Sequence, residues 1–216
     1  MHVIVLASQK GGSSKTTVAA HLAVAAERAG AGPVAMIDAD PQETLTNWWR
    51  QREADAPALA PVKLPELAGK LGALRQAGFK LTVIDTPPAI TASIRTVIGL
   101  ADFVLIPVRP SPADLWAVGA TIELCYEAKR PFAFVLSQAT RGATITTQAL
   151  GALSEHGPVC GSVMHNRVAY AGALTSGHTI QEVDPSGAGA AEVARLWEFV
   201  RQRLQPSTKA RKAFAV

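Results

Sequence analysis

Apolar and polar positions alternate along this chain in two rhythms. Short runs rich in Val and Ile occupy residues 2–7, 34–37, 80–85, 102–108 and 132–137, with a sixth candidate at 159–164. Several are apolar at every position, as strands are when helices cover both faces of a parallel sheet. Between them the apolar residues recur at helical spacing. A stretch with Val18, Leu22, Ala25 and Ala26 on one face stops at Gly30, and further helices are predicted over 65–76, 94–100, 113–127, 144–155 and 188–205. A short helix is also expected from Glu43 onward, carrying Trp48 and Trp49. Adjacent helical residues diverge by about 100°, so these two indoles should not share one buried face, and ordinary packing is the favoured reading. The alternation predicts a doubly wound, mostly parallel α/β sheet with helices on both faces. Ligands of such sheets bind beyond the carboxyl ends of the strands. The candidates for chemistry are therefore the polar residues that follow strands: 10–17, 38–42, 85–88 and 109–114.

Composition narrows the class without changing this picture. With 216 residues, 48% hydrophobic and 18% charged, the chain can bury a sizeable core and is not of disordered type. No break precedes about Pro206, so a single domain over 1–205 is expected, followed by a flexible basic tail over 206–216. No apolar run approaches the ~20 residues of a membrane span. The first six residues have neither a basic region nor a small-residue cleavage site. Cys125 and Cys160 lack C-x-x-C spacing, which argues against a disulfide framework or thiolate metal site and for a reducing, cytoplasmic location. The five His residues show no metal-ligand spacing.

The segment Gln9-Lys10-Gly11-Gly12-Ser13-Ser14-Lys15-Thr16-Thr17 joins a predicted strand to a predicted helix. Gly11 and Gly12 allow a tight turn whose N–H groups point at an anion, and the helix start adds its positive dipole end. Lys15 can reach β- and γ-phosphate oxygens, the Thr16 hydroxyl is placed to ligate Mg²⁺, and Thr17 can support the α-phosphate. The strict G-x-x-x-x-G-K-[ST] pattern is not met, because Gln9 and Ser14 occupy its glycine positions. Asp38 and Asp40 end the second strand two residues apart, on the same side of an extended chain. One carboxylate can hold a metal-bound water while the other orients an attacking water. Asp85 ends the next strand, suited to accept from a Mg²⁺-bound water or from the Thr16 hydroxyl.

Lys10-Gly11-Gly12-Ser13-Ser14-Lys15-Thr16-Thr17 resembles the deviant Walker A motif of the ParA/MinD family of ATPases. Asp38-Ala39-Asp40-Pro41-Gln42 resembles the family's second motif, and Val83-Ile84-Asp85-Thr86-Pro87-Pro88 its Walker B strand and following loop. The segment from Arg109 to Trp116 looks most like small ParA proteins of the partition and cargo-positioning kind. The resemblance covers roughly residues 1–205 and implies a P-loop NTPase-like fold with ATP and Mg²⁺ as ligands. It implies that Lys10 reaches across an ATP-dependent homodimer to the partner's nucleotide, that Asp40 activates water and that Asp38 serves the metal's outer shell. The family usually has Gly where Ser14 stands. Its adenine contacts map to about Ser137-Gln138 and to Asp184-Pro185, and an Asn is common where Ser137 stands. Asn166-Arg167-Val168-Ala169-Tyr170 also resembles a small-ParA segment, in which Arg167 is a candidate for a partner, DNA or a structural salt bridge.

The formal net charge is +4, and the C-terminal end more than accounts for it: Arg195, Arg201, Arg203, Lys209, Arg211 and Lys212 stand against Glu198 alone, leaving the body nearly neutral. Val193, Leu196, Trp197, Val200 and Leu204 form an apolar stripe that predicts a helix packed on the sheet with its basic residues outward. From charge alone a solvated face is the favoured reading. The resemblance implies that these cations bind DNA without sequence preference, giving nucleoid association, and that a ParB-like or cargo adaptor protein stimulates hydrolysis. Membrane attachment is disfavoured, because only Phe214 and Val216 are large and apolar in the tail. The rival readings are a MinD-like membrane-associated regulator and a P-loop small-molecule kinase or ligase.

Overall fold

The computed structural model describes residues 1–88 and 92–205, without the Ser93 side chain. Seven strands, β1 (His2–Leu6), β2 (Val34–Asp38), β3 (Ala58–Leu59), β4 (Leu81–Asp85), β5 (Phe103–Val108), β6 (Phe132–Ala139) and β7 (Met164–His165), form one sheet in the order β3-β2-β4-β1-β5-β6-β7. Every pairing is parallel. The helices are α1 (Lys15–Arg28), α2 (Thr44–Trp49), α3 (Leu67–Gln76), α4 (Ala92–Gly99), α5 (Pro112–Glu127), α6 (Thr144–Ser154), α7 (Val168–Thr175), α8 (Ile180–Val183) and α9 (Ala188–Leu204).

Period-two alternation explains why the strands are apolar throughout. Ile4, Leu6, Met36, Val83 and Leu105 pack with Val18 and Leu22 of α1 and with Val193, Leu196 and Val200 of α9. Val3, Val5, Ile37, Ile84 and Val104 face the other way, onto Leu71 of α3, Ile98 of α4, Ile122 of α5 and Leu153 of α6. Two cores thus sandwich one sheet. The registers set Leu6 level with Asp85 and Leu105, and Asp38 level with Asp85. The carboxyl ends of the central strands therefore finish on one edge, where the loop to α1 begins.

The expected helix over 65–76 divides into a 3-10 turn, Leu64–Glu66, and α3, and the helix expected from residue 94 begins at Ala92. The expected strand over 159–164 does not form. Val159 makes one isolated bridge to Phe134, and regular pairing resumes only at Met164. Between them the Ser162 hydroxyl donates to the Glu192 carbonyl of α9 (2.9 Å), tying the chain to that helix. Two-residue β3 and the short α7 and α8 carry too few periodic positions to be legible in sequence. Trp48 is buried and donates to the His178 carbonyl (3.2 Å). Trp49 is half-buried and donates to the Pro57 carbonyl (2.8 Å), so the two indoles diverge into different packing sites as expected.

Candidate phosphate-binding site

The chain between β1 and α1 curls over the sheet edge through two left-handed residues, Gly12 (φ 73°) and Ser14 (φ 70°). Gly12 takes this conformation without strain, whereas a serine there costs on the order of 1 kcal/mol. The end of β6 holds the loop from the side. Gln138 Nε2 donates to the Gly12 carbonyl (2.8 Å) and the Ser14 hydroxyl (2.7 Å), and the Ser137 hydroxyl donates to the Ser13 carbonyl (3.0 Å). Ser137, expected near adenine, braces the loop and also lines the second cavity beyond it. Two variants separate the strain from the brace. Ser14→Ala keeps the strained backbone and loses the hydrogen bond, so it should cost about 1 kcal/mol in denaturant unfolding. Ser14→Gly relieves the strain as well and should lie near zero. A Gly variant less stable than the Ala variant would contradict this account.

A cavity of about 310 Å³ lies over the loop, lined by Gly11 to Thr17 with Asp40, Gln42, Thr44, Pro88 and Gln138. Lys15 is buried, and its ammonium donates to the Ser8 (3.2 Å) and Lys10 (3.3 Å) carbonyls. Burial pulls its pKa down, opposed by the charges of Asp85 and Asp40. The Thr16 hydroxyl donates to Asp85 Oδ2 at 2.5 Å. Burial raises the Asp85 carboxyl to about 7, against relief from the Thr16 bond; Asp38 and Asp40 raise it further and Lys15 lowers it. The other oxygen, Oδ1, is buried without a hydrogen-bond partner. A buried carboxylate with one free oxygen beside a threonine hydroxyl fits a hydrated Mg²⁺, which keeps several waters and uses few protein ligands. Among the described residues no group of three or more His, Cys, Asp or Glu could hold a metal alone. A cation here would depend on ligand oxygens.

The two carboxylates after β2 are placed differently. Asp38 accepts from the N–H groups of Asp40 (3.1 Å) and Thr46 (2.8 Å), pinning the first turn of α2. Asp40 accepts from the Gln42 N–H (3.0 Å) and lines the cavity over the loop. Lys10 is half-buried, and its ammonium has no hydrogen-bond or ion-pair partner among the described residues. Sequence reasoning assigned no role to Arg109. Its guanidinium is gripped by buried Asp114 through Nε (3.0 Å) and Nη2 (3.1 Å), and Nη1 would lie 3.6 Å from a Cβ at Gly12. The legible signal was the Arg-Pro-Ser-Pro-x-Asp spacing, in which Ser111 caps α5 by accepting from the Asp114 N–H (3.2 Å).

A second cavity, about 190 Å³, adjoins the loop beyond Ser14 and Thr17 and is walled by Met164, His165, Asn166, Arg167, Tyr170 and Leu174. Asp184 and Pro185, predicted on the adenine side, line neither cavity. Pro185 lies in a cleft with Ala25, Arg28 and Ala29, at the opposite end of α1 from the loop. Helix α8 turns the chain at Asp184, whose carbonyl accepts from the Gly187 N–H (3.1 Å), and leads it into α9. Arg167 forms a salt bridge from Nη2 to Glu192 Oε1 (2.7 Å). Arg195 is exposed. Exposed Arg201 pairs with Glu198 (2.8 Å), and Arg203 lies over the Phe199 ring (3.4 Å). Lys209, Arg211 and Lys212 lie outside the described residues.

The family model for the CobQ/CobB/MinD/ParA nucleotide binding domain matches residues 4–180. The chain belongs to this family. It is 32% identical over 205 residues to the maintenance of carboxysome distribution protein A of Halothiobacillus neapolitanus, covering 88% of this chain and 91% of that one. It is 31% identical over 240 residues to the chromosome-partitioning ATPase Soj of Thermus thermophilus, covering 94% and 96%. Among solved structures, the ATP complex of a Cyanothece McdA variant superposes with a TM-score of 0.75 at 20% identity, covering 94% of this chain and 96% of that one. The fold is thus the P-loop fold of the ParA/MinD ATPases, and the motif resemblance stands. The braced loop with Lys15 and the Thr16–Asp85 pair lies at the carboxyl edge of the sheet, within the residues that the family model matches.

Proposed function

We propose that the chain is a Mg²⁺-dependent ATPase of the ParA type, which closes into a sandwich dimer on ATP, binds DNA without sequence preference, and positions or segregates a cargo with a partner protein that stimulates hydrolysis. The observation that carries this reading is the cavity lined by Lys15, Thr16 and Asp40, which begins at the residue after Lys10, whose ammonium has no partner among the described residues. The loop amides and Lys15 bind the β- and γ-phosphates, and Thr17 supports the α-phosphate. Thr16 and Asp85, with Asp38 behind, would hold Mg²⁺, which when bound supplies charge neutralisation on the phosphate oxygens. Asp40 orients the attacking water toward the γ-phosphate. Lys10 of the opposing copy adds a second cation where negative charge accumulates, as an arginine finger does.

The relatives named for carboxysome distribution and chromosome partitioning support a cargo-positioning role. Surface cations of α9, Arg195, Arg201 and Arg203, together with Lys209, Arg211 and Lys212, supply the DNA contacts, and counterion release makes them steeply salt-dependent. Size-exclusion chromatography with ATP, ADP or no nucleotide tests the core of this reading. ATP alone should shift the protein to a dimer that is retained on DNA at low salt, and Lys10→Ala should remain monomeric while still binding nucleotide. A Lys10→Ala protein that dimerises as the wild type does would remove the trans-lysine mechanism.

A further inference from the structure

The loop between β1 and α1 meets side chains from two neighbouring strand ends. Gln138, near the end of β6, grips the Gly12 carbonyl and the Ser14 hydroxyl. Arg109, the residue after β5, reaches the same glycine. We infer that Arg109 is a positioning residue for nucleotide binding: its guanidinium, clamped by Asp114, backs the loop at Gly12 and keeps the loop in the shape that accepts phosphate. The inference rests on the reading of the loop as a nucleoside triphosphate site.

A buried carboxylate fixes the guanidinium. Asp114, in the first turn of α5, accepts from Arg109 Nε (3.0 Å) and Nη2 (3.1 Å). Its Oδ2 also accepts from the Ser111 hydroxyl (2.5 Å), so the carboxylate is itself held in place. A planar guanidinium bonded through two nitrogens has a set orientation, and the direction of Nη1 is set with it. Nη1 has no hydrogen-bond partner among the described residues. It lies 3.6 Å from the place a Cβ would take at Gly12, and no other heavy atom beyond the adjoining residues comes within 4 Å of that place. At Gly11 the same test meets nothing within 4 Å. The loop is therefore backed at Gly12 and open at Gly11.

This backing acts by shape more than by charge. Arg109 and Asp114 form an ion pair, so together they add little net potential, and Arg109 does not line the cavity over the loop. Gly12 has a left-handed backbone, and glycine leaves any one conformation readily because its backbone is permissive. Held between Gln138 Nε2 and the Arg109 guanidinium, Gly12 keeps the loop N–H groups aimed at one place. Without Arg109, a share of the molecules carries a misdirected loop. The apparent affinity falls by that share, and a bound phosphate restores the shape.

Arg109→Lys tests this in the full chain. Lysine keeps a cation beside Asp114 but cannot span both carboxylate oxygens and reach Gly12 as well. Calorimetry should show MgATP and MgADP weakened by one common factor, between about threefold and tenfold, because the loop amides grip phosphates that both nucleotides carry. In steady-state hydrolysis KM should rise by that factor, with kcat at saturating MgATP within about twofold of wild type. Asp114→Asn frees the guanidinium and should reproduce the loss, and the double variant should be no worse than either single one. Either single variant suffices if the other fails to fold. Wild-type affinities in Arg109→Lys overturn the inference. So does a fall in kcat with KM unchanged, which marks a general structural role. Failure of wild type to bind either nucleotide overturns the triphosphate reading beneath it, so the two failures are distinct.

Discussion

Replacing Lys15 by alanine will weaken MgATP binding by about a hundredfold or more and leave the ligand-free fold as stable as before, or more so. The ammonium is buried beneath the loop, and burial lowers its pKa, so without ligand the protein bears the cost of holding a desolvated cation. Its only hydrogen bonds there are to two carbonyls, at 3.2 and 3.3 Å. Exchanging those carbonyls for phosphate oxygens turns a poorly matched buried charge into charge-assisted hydrogen bonds, each contributing roughly 1.5–3 kcal/mol. Two such contacts account for the expected loss. Isothermal titration calorimetry gives the affinity and differential scanning calorimetry the stability. A variant that binds MgATP normally would show that the loop's amides alone hold the phosphates.

Asp85→Asn should produce a similar split, with a pH signature. The Asp85 carboxyl rises from 3.8 to about 7, chiefly through burial. Between those values the folded protein holds a proton that the unfolded chain has released. This residue therefore favours the fold on the acid side, and its contribution is lost as pH climbs through about 7. At pH 8 the wild type folds with a buried carboxylate whose Oδ1 is unpartnered. The isosteric amide removes that charge, so the thermal midpoint of Asp85→Asn at pH 8 should exceed the wild-type value by several degrees, with the gap closing toward pH 5. Mg²⁺-dependent nucleotide binding should fall at least about tenfold, because a neutral amide cannot complement a divalent cation. At pH 6, MgATP binding to wild type should release close to one proton at this site, seen as a calorimetric enthalpy that varies with buffer ionisation. The same variation in Asp85→Asn would mean that the proton comes from elsewhere.

Both predictions stem from a conflict between fold and site. The strand alternation that makes Ile84 a core residue brings Asp85 to the sheet edge already buried. The helix that begins at Lys15 takes its ammonium under the loop in the same way. The site gathers desolvated charges of both signs, and a ligand carrying phosphate and a cation would neutralise both.

The sequence alone determined the strands β1, β2, β4, β5 and β6, the helices α1, α5 and α9, and the glycine-bearing loop between β1 and α1. Each rests on a local pattern: strands apolar on both faces, a helical repeat of at least eleven residues, or a glycine pair between strand and helix. Asp38, Asp40 and Asp85 were legible because a parallel sheet places strand ends on one edge whatever the loops do. What only the tertiary structure decided depends on which distant segments meet. Ser137 and Gln138 brace a loop more than 120 residues earlier, Arg109 comes to rest beside Gly12 through its grip on Asp114, and Glu192 of the last helix organises His165, Arg167 and Tyr170. The same reason leaves Asp184 and Pro185 outside both cavities beside the loop. Their place is fixed by the turn from α8 into α9 and by the packing of both helices against α1. Local patterns set by backbone geometry can be read along the chain, whereas contacts set by packing have no periodicity to read.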